Sequence, residues 1–361
     1  MEIKRLSDLF NNSARVSALK KMLQSKRMRV IGIDGLAGSS AAMLFSRLPR
    51  QEQPYLIIAN DMDEAGYIYN DLCQLSTDGE VLIFPSGYKR DIKYGQVDAP
   101  SEILRTEVLN QWHTSKSLRW VVTFPEALAE RVTSRQRVEQ TTVSLAVGQT
   151  VDLGQTVRRL REVGFHEVDY VYEPGQFSVR GSILDVYSFS NELPYRVDFF
   201  GDEIDSIRTF NVETQLSQEQ VESVGILYKQ DGDQADGTSL LDYVGPSTVL
   251  VCRDVEWLKA RIKAIGDEGM SASAVLAEEG DMSAMRHVVD EAQFVTELSR
   301  HRRIDYAFGE SDMVADARLT LHCTPQGIYH KNFDLISGSF RNFLSHGYTI
   351  HILSDSAKQI E

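Results

Sequence analysis

The glycine-rich turn GLAGSS, residues 35–40, is the segment whose residue types come nearest to a known chemistry, because it joins a strand-like run to a helix-like run. Nucleotide-binding α/β proteins place a phosphate loop there, where backbone N–H groups at a helix start attract phosphate. A working loop needs a lysine directly after its last glycine, and Ser39 stands in that position. We therefore predict a degenerate loop that binds no nucleotide. The alternative is a nucleotide-binding or nucleotide-hydrolysing domain with an atypical phosphate loop. The loop residues are Gly35, Gly38, Ser39 and Ser40.

Carboxylates that follow strand-like runs could hold magnesium, but helix capping explains them better. Asp61 and Asp254 each precede a helix-like segment, where an aspartate accepts backbone N–H bonds and complements the helix dipole. The cysteines at 73, 252 and 323 are too few and too scattered for a disulfide framework or a metal site. The sequence has no HExxH or GxSxG pattern. It therefore predicts no catalytic residues, no metal site and no cofactor.

Two segments with strand alternation carry residues suited to binding another protein. In PYRVDFFGDE, residues 194–203, one face is apolar and the other carries Arg196 and Phe200. In QFSVRGSILDV, residues 176–186, Arg180 lies on the face opposite the apolar residues. Arginine and aromatic side chains dominate the binding energy of protein interfaces. We predict a recognition surface from these three residues; the alternative is a solvated face on which the arginines pair with neighbouring carboxylates.

The elements that must position these residues can be read from hydrophobic patterning. Four short β-branched runs, at 29–33, 55–59, 81–84 and 120–124, each lead into a segment with helical character, which predicts an open, largely parallel sheet. Alternating strands with short turns replace this pattern in the middle of the chain, and the strand–helix pattern then returns. The predicted fold class is α/β, a discontinuous P-loop-like parallel-sheet domain with an inserted α+β domain. Its predicted parts are residues 1–138, 139–213 and 214–361.

Charge and composition exclude several classes of protein. The 38 basic and 52 acidic residues give a formal net charge of −14, which argues against direct binding of a nucleic-acid backbone. The predicted insert has the same bias, and all of its basic residues are arginines. No apolar run approaches the roughly 20 residues needed to span a bilayer, and the first residues do not resemble a secretory signal. We therefore expect a cytoplasmic protein without a membrane partner.

The same segments carry a family resemblance. The runs LREVGFHEVDYVYEPGQFSVRGSILDVYSF and ELPYRVDFFGDEIDSIRTFN resemble the N-terminal region of bacterial transcription-repair coupling factor (Mfd), in the module that it shares with the excision-repair helicase UvrB. Weaker similarity extends over FPSGYKRDIKYGQVDAPSEILRTEVLNQW and FRNFLSHGYTIHILSDSAKQIE. Together these segments cover most of the chain from about residue 28 to residue 361.

This resemblance implies a function that the residues alone do not give. The module resembles the first two domains of UvrB, an α/β domain interrupted by a smaller domain that docks onto UvrA, here without a working phosphate loop. The RG and PYRxDFF motifs imply that Arg180, Arg196 and Phe200 contact UvrA. The expected function is therefore a non-catalytic module that recruits UvrA, and with it nucleotide excision repair, to stalled transcription complexes.

The resemblance also implies partners that this chain would not bind by itself. In the family, an ATP-dependent DNA translocase and an RNA-polymerase-binding domain follow this module. A C-terminal domain of the full-length protein masks the UvrA-docking face. We therefore expect an N-terminal fragment that is not an enzyme, with RNA polymerase and DNA reached only through domains absent from these 361 residues.

Overall fold

The computed structural model describes residues 8–352 apart from short gaps, and it divides the chain into two compact units, residues 1–322 and 323–361. Parts of two segments that carry the family resemblance, residues 88–98 and 353–361, lie outside the described residues. None of the helices in the described part combines the length and the apolar content needed to cross a membrane. The gaps are residues 9, 12, 26, 78, 88–98, 190, 192, 228–236, 279–287, 309–310 and 331.

The strands of the described residues belong to three sheets. In chain order they are β1 Val30–Leu36, β2 Tyr55–Ile58, β3 Val81–Ile83, β4 Trp120–Thr123, β5 Val143–Ala146, β6 His166–Glu167, β7 Gln176–Arg180, β8 Ile183–Val186, β9 Tyr195–Phe200, β10 Glu203–Phe210, β11 Ser217–Val221, β12 Ser223–Ile226, β13 Val249–Cys252, β14 Arg302–Phe308 and β15 Ala317–Thr320.

The largest sheet has seven strands in the order β15-β1-β14-β13-β2-β4-β3, and every neighbouring pair is parallel. The prediction of a parallel α/β sheet is confirmed. Strands β2, β4 and β13 are buried along their whole length. This burial explains their continuous apolar sequences, since a parallel sheet is covered on both faces.

Helices connect and cover these strands. Several begin at a side-chain cap, and the caps at Asp61, Ser239 and Asp290 accept a backbone N–H from the first turn. The helices are α1 Ala14–Gln24, α2 Ser40–Phe45, α3 Met62–Leu75, α4 Ala99–Thr114, α5 Pro125–Ala129, α6 Arg135–Thr141, α7 Leu153–Glu162, α8 Leu240–Val244, α9 Val255–Glu278, α10 Glu291–Leu298 and α11 Phe333–Ser345.

The two smaller sheets lie between β4 and β13 in the sequence. A six-stranded sheet has the order β11-β10-β9-β8-β7-β6 and is antiparallel except between β6 and β7, and β5 pairs with β12 in a two-stranded sheet. One face of the six-stranded sheet contributes Phe177, Leu184 and Val197 to a core that also receives Val157 and Leu160 from α7. Because α7 packs on this face, the charged residues of β9 lie on the opposite face of the sheet.

The antiparallel strands continue past residue 213, where the predicted insert ends. Strand β11 pairs with β10, and β12 pairs with β5, so residues 217–226 extend the smaller sheets. The polar sequence SQEQV of β11 shows no apolar alternation because this edge strand is exposed along almost its whole length. The division into domains at 139 and 213 stays a prediction.

The unit formed by residues 323–361 has one helix in its described part, α11. Asn332 caps this helix by accepting the backbone N–H groups of Asp334 and Leu335. Near its end, Phe343 packs edge-on against Tyr348 with 5.5 Å between the ring centroids. This unit therefore has a local aromatic contact of its own.

Candidate protein-interaction surface

The face of the six-stranded sheet opposite α7 carries a row of charged side chains, which we call the charged face. Strand β9 alternates as the sequence predicts, with Tyr195, Val197 and Phe199 buried and the intervening residues more exposed. Cross-strand pairing then sets the neighbours, because Arg196 lies opposite Asp185 on β8 and opposite Arg208 on β10. The charged face consists of Arg180, Asp185, Arg196, Asp198, Phe200 and Arg208.

Asp185 is the centre of this face. Its Oδ1 and Oδ2 accept hydrogen bonds from Nε and Nη2 of Arg196 at 2.7 and 2.8 Å, which is the bidentate arrangement that a guanidinium and a carboxylate favour. Oδ2 also accepts a hydrogen bond from Nη2 of Arg180. One buried carboxylate therefore orients two arginines, and both are among the residues predicted to bind a partner.

Arg196 is held from three directions. Its Nη1 donates to the carbonyl oxygen of Gln215 at 3.0 Å, and its guanidinium carbon lies 4.5 Å from the centroid of the Phe210 ring. Only 15% of its side chain is exposed. The hydrogen bonds to Asp185 raise the pKa of Arg196, against the opposing effect of burial. Asp185 therefore already occupies the two donors through which Arg196 could bind a carboxylate in a bidentate manner.

Arg180 is more accessible than Arg196. Its side chain is 38% exposed, and its guanidinium carbon lies 4.9 Å from the centroid of the Tyr170 ring. Asp185 is its only hydrogen-bond partner among the residues that the structure describes. Most of its N–H donors therefore remain able to reach an acidic group on another molecule.

Phe200 is the most exposed large side chain of the face, at 84%. It ends β9 directly before a two-residue hairpin turn, since it pairs with Glu203 on β10. Gly201 takes the first turn position with a φ of 66°, the left-handed conformation that such turns require. The hairpin therefore presents the Phe200 ring to solvent from a defined backbone position.

The charged face has features of both interpretations of the sequence, the recognition surface and the face of paired charges. Arg180 and Arg196 do pair with a neighbouring carboxylate, as the alternative reading expects, yet that carboxylate is buried and not solvated. Sequence reasoning missed Asp185. The signal was present, because an aspartate between Leu184 and Val186 in the buried strand ILDV needs a charged or hydrogen-bonding partner.

A second ion pair lies on the same face. Arg208 Nη2 contacts Asp198 Oδ2, and both side chains are partly exposed, at 37% and 24%. Exposed pairs of this kind add little to stability. Counting formal charges, the three arginines and two aspartates of the charged face leave one positive charge in a chain whose net charge is −14.

The glycine-rich loop is built as a structural turn. A Cβ on Gly35 would lie 1.7 Å from the carbonyl oxygen of Leu321, and the φ of Gly35 is 74°, so this position excludes a side chain. The hydroxyl of Ser40 accepts the backbone N–H of Ala37 at 2.8 Å. Gly38 also has a positive φ, and Ser39 makes no side-chain cap to the six-residue helix α2.

A carboxylate paired with an arginine lies at the start of that loop. Asp34 is buried, accepts a hydrogen bond from Ser311 Oγ, and pairs with Arg318 Nη1 at 3.3 Å. Asp34 is therefore compensated by Arg318, and residues 35–40 contain no lysine or arginine that could offset the charge of a phosphate. The prediction that the loop binds no nucleotide rests on this missing cation.

The carboxylates that follow the strands cap helices or form an ion pair within the chain. Asp61 Oδ1 accepts the Glu64 backbone N–H at 2.8 Å, and Asp254 Oδ1 accepts that of Trp257 at 2.9 Å. Glu64 itself pairs with Arg253 at 2.8 Å. Among the residues that the structure describes, no three histidine, cysteine, aspartate or glutamate side chains come together as a metal site would need.

Comparison with known proteins supplies the context for this face. Residues 143–231 match the family model described as the UvrB interaction domain. The match covers 89 of the 361 residues. The match contains the whole charged face, and it extends past residue 213 to include β11 and β12.

Curated relatives agree with the domain match. The chain is 30% identical to the transcription-repair-coupling factor of Bacillus subtilis over 241 residues, which is 66% of this chain and 19% of the relative. It is 29% identical to the Escherichia coli factor over 194 residues, 53% of this chain and 17% of the relative. The Haemophilus influenzae factor is 27% identical over 188 residues, 52% of this chain and 16% of the relative. The matched segment thus spans less than a fifth of these relatives.

Proposed function

We propose that this chain recruits UvrA to stalled transcription complexes, as a non-catalytic module of a transcription-repair coupling factor. The observation that carries the proposal is the charged face, which lies within the match to the UvrB interaction domain and has an exposed Phe200 on the same face as two pre-oriented arginines. The names of the relatives support the link to transcription and repair.

The three predicted contact residues have different roles in this proposal. Phe200 is an apolar anchor that a partner can bury, and Arg180 offers free donors to an acidic group. Arg196 is mostly buried and holds Asp185, so it positions Arg180 and contributes only its exposed edge. Because Asp185 holds both arginines before the partner binds, little affinity is lost in ordering these two side chains.

A titration of UvrA with the 361-residue chain tests the proposal. Phe200→Ala should weaken binding by about thirtyfold, the effect of losing a central anchor of about 2 kcal/mol. Arg180→Glu should weaken binding more than Arg180→Ala, because it places like charge against an acidic partner. Equal effects of Ala and Glu would argue against an acidic group at that position.

A matched control separates this face from the rest of the domain. Arg158 on α7 is exposed, and α7 packs on the opposite face of the sheet. Arg158→Ala should therefore leave the affinity for UvrA unchanged. If Phe200→Ala and Arg180→Glu remain folded by circular dichroism and bind UvrA as well as the parent, the charged face is not the docking surface.

A further inference from the structure

The segment between β6 and β7 brings an additional aromatic residue to the charged face. Two side-chain hydrogen bonds hold its backbone. Ser178 Oγ donates to the Asp169 carbonyl oxygen at 2.9 Å, and Gln176 Oε1 accepts the Tyr172 N–H at 2.9 Å. Val171, in the middle of the segment, is fully buried. Tyr170 therefore stands on a fixed backbone.

The ring of Tyr170 lies against Arg180. The guanidinium carbon of Arg180 is 4.9 Å from the ring centroid, within the range of a cation–π contact. Tyr170 is 51% exposed, and its hydroxyl has no hydrogen-bond partner among the described residues. The guanidinium is thus restrained by Asp185 on one side and by an aromatic ring on another.

We propose that Tyr170 is a fourth contact residue of the docking face, and that the face takes a segment of UvrA presenting a carboxylate next to an apolar side chain. This inference rests on the proposed function. The carboxylate meets the free donors of Arg180, and the apolar side chain covers the Tyr170 ring. Covering the ring removes water from the cation–π contact and strengthens it.

Tyrosine substitutions, measured by titration with UvrA, test this inference. Tyr170→Ala should weaken binding about tenfold, which corresponds to about 1.4 kcal/mol. Tyr170→Phe keeps the ring and should bind like the parent. Tyr172→Ala is the matched control, because Tyr172 is 56% exposed and two residues away but makes no ring contact with Arg180 in the described part of the chain. It should bind UvrA as the parent does.

A double-mutant cycle tests whether Tyr170 acts together with Arg180. In an Arg180→Ala background, Tyr170→Ala should cause a much smaller further loss of affinity, because the two residues act as a pair. Full additivity, or equal losses for Tyr170→Ala and Tyr172→Ala, would overturn the inference. So would a loss with Tyr170→Phe, which would assign the effect to the hydroxyl.

The same titrations separate failure of this inference from failure of the proposed function. If Phe200→Ala weakens binding while Tyr170→Ala does not, the docking face stands without Tyr170. If the parent chain does not bind UvrA, both proposals are wrong. Circular dichroism and the urea midpoint of each variant show whether it is folded, and both tyrosines are exposed enough for substitution to leave the fold intact.

Discussion

Asp185 is the residue on which the geometry of the charged face depends. It is buried and accepts hydrogen bonds from two arginines, which are the cations paired with it among the residues that the structure describes. Removing one partner of a buried pair leaves the remaining charges without compensation, which is more damaging than losing an exposed pair. The positions of Arg180 and Arg196 and the stability of the domain are therefore coupled through one carboxylate.

Asp185→Ala should lower the free energy of unfolding by about 3 kcal/mol, measured by urea denaturation. Asp198→Ala is the matched control on the same face, because its pair with Arg208 is partly exposed. The control should lose less than about 1 kcal/mol. Similar losses for both variants would show that Asp185 is no more important to the fold than an exposed carboxylate.

His301 gives the protein a defined pH response. It is buried and its Nδ1 lies 3.2 Å from the Thr248 carbonyl oxygen, and burial lowers the pKa of His301 below its ordinary value of 6.5. As the pH falls below 6.5, this histidine becomes protonated in the unfolded chain while it remains neutral in the folded chain, where its pKa is lower. Stability from this group is therefore complete above pH 6.5 and declines below it.

We expect His301→Gln to reduce the pH dependence of stability. The free energy of unfolding, measured in urea at about pH 7 and pH 5.5, should change less between the two conditions in the variant than in the parent. The variant is also expected to be less stable at neutral pH, because the substitution disturbs the contact with Thr248. An unchanged difference between the two pH values would contradict the assignment.

At the scale of elements, two hairpins position the exposed residues. The β7–β8 turn follows Arg180 and the β9–β10 turn follows Phe200, and Gly181 and Gly201 take left-handed φ values of 64° and 66°. A Cβ on either glycine would meet no atom within 4 Å, so any effect of substitution comes from the backbone conformation.

Gly201→Ala should therefore lower the free energy of unfolding by about 1 kcal/mol and weaken UvrA binding through misplacement of Phe200. Gly201→Asn should recover much of both losses, because asparagine tolerates the left-handed conformation. Urea denaturation and titration with UvrA measure the two effects. If alanine and asparagine behave alike, the backbone conformation of the turn does not position Phe200.

The elements differ in how far local sequence predicts them. The buried strands β2 and β4 are predictable because their apolar runs reflect burial on both faces, and β9 is predictable because its alternation reflects one buried face. Strand β11 is not predictable from its sequence SQEQV, because a strand at an exposed sheet edge does not need buried apolar residues. The outward positions of Arg180 and Phe200 follow from local alternation. The Asp185–Arg196 pair depends on the register between β8 and β9, which no local pattern contains.

At the scale of the whole molecule, charge distribution and loop structure favour a protein partner over a nucleotide. The net charge is −14, and Ser39 occupies the position of the lysine that a working phosphate loop needs. Calorimetry with ATP and physiological magnesium should therefore show no measurable binding. Micromolar affinity, or phosphate release that Ser40→Ala abolishes, would instead favour a nucleotide-hydrolysing domain.

Site-specific photocrosslinking tests the central claim most directly. The 361-residue chain would carry a photoreactive benzoylphenylalanine in place of Phe200, or in place of Trp257, which is exposed on α9 far along the chain from the charged face. The account predicts that UvrA crosslinks to position 200 and not to position 257. A complex that forms without crosslinking at 200, or that crosslinks equally at both positions, would contradict the assignment of the charged face as the UvrA-docking surface.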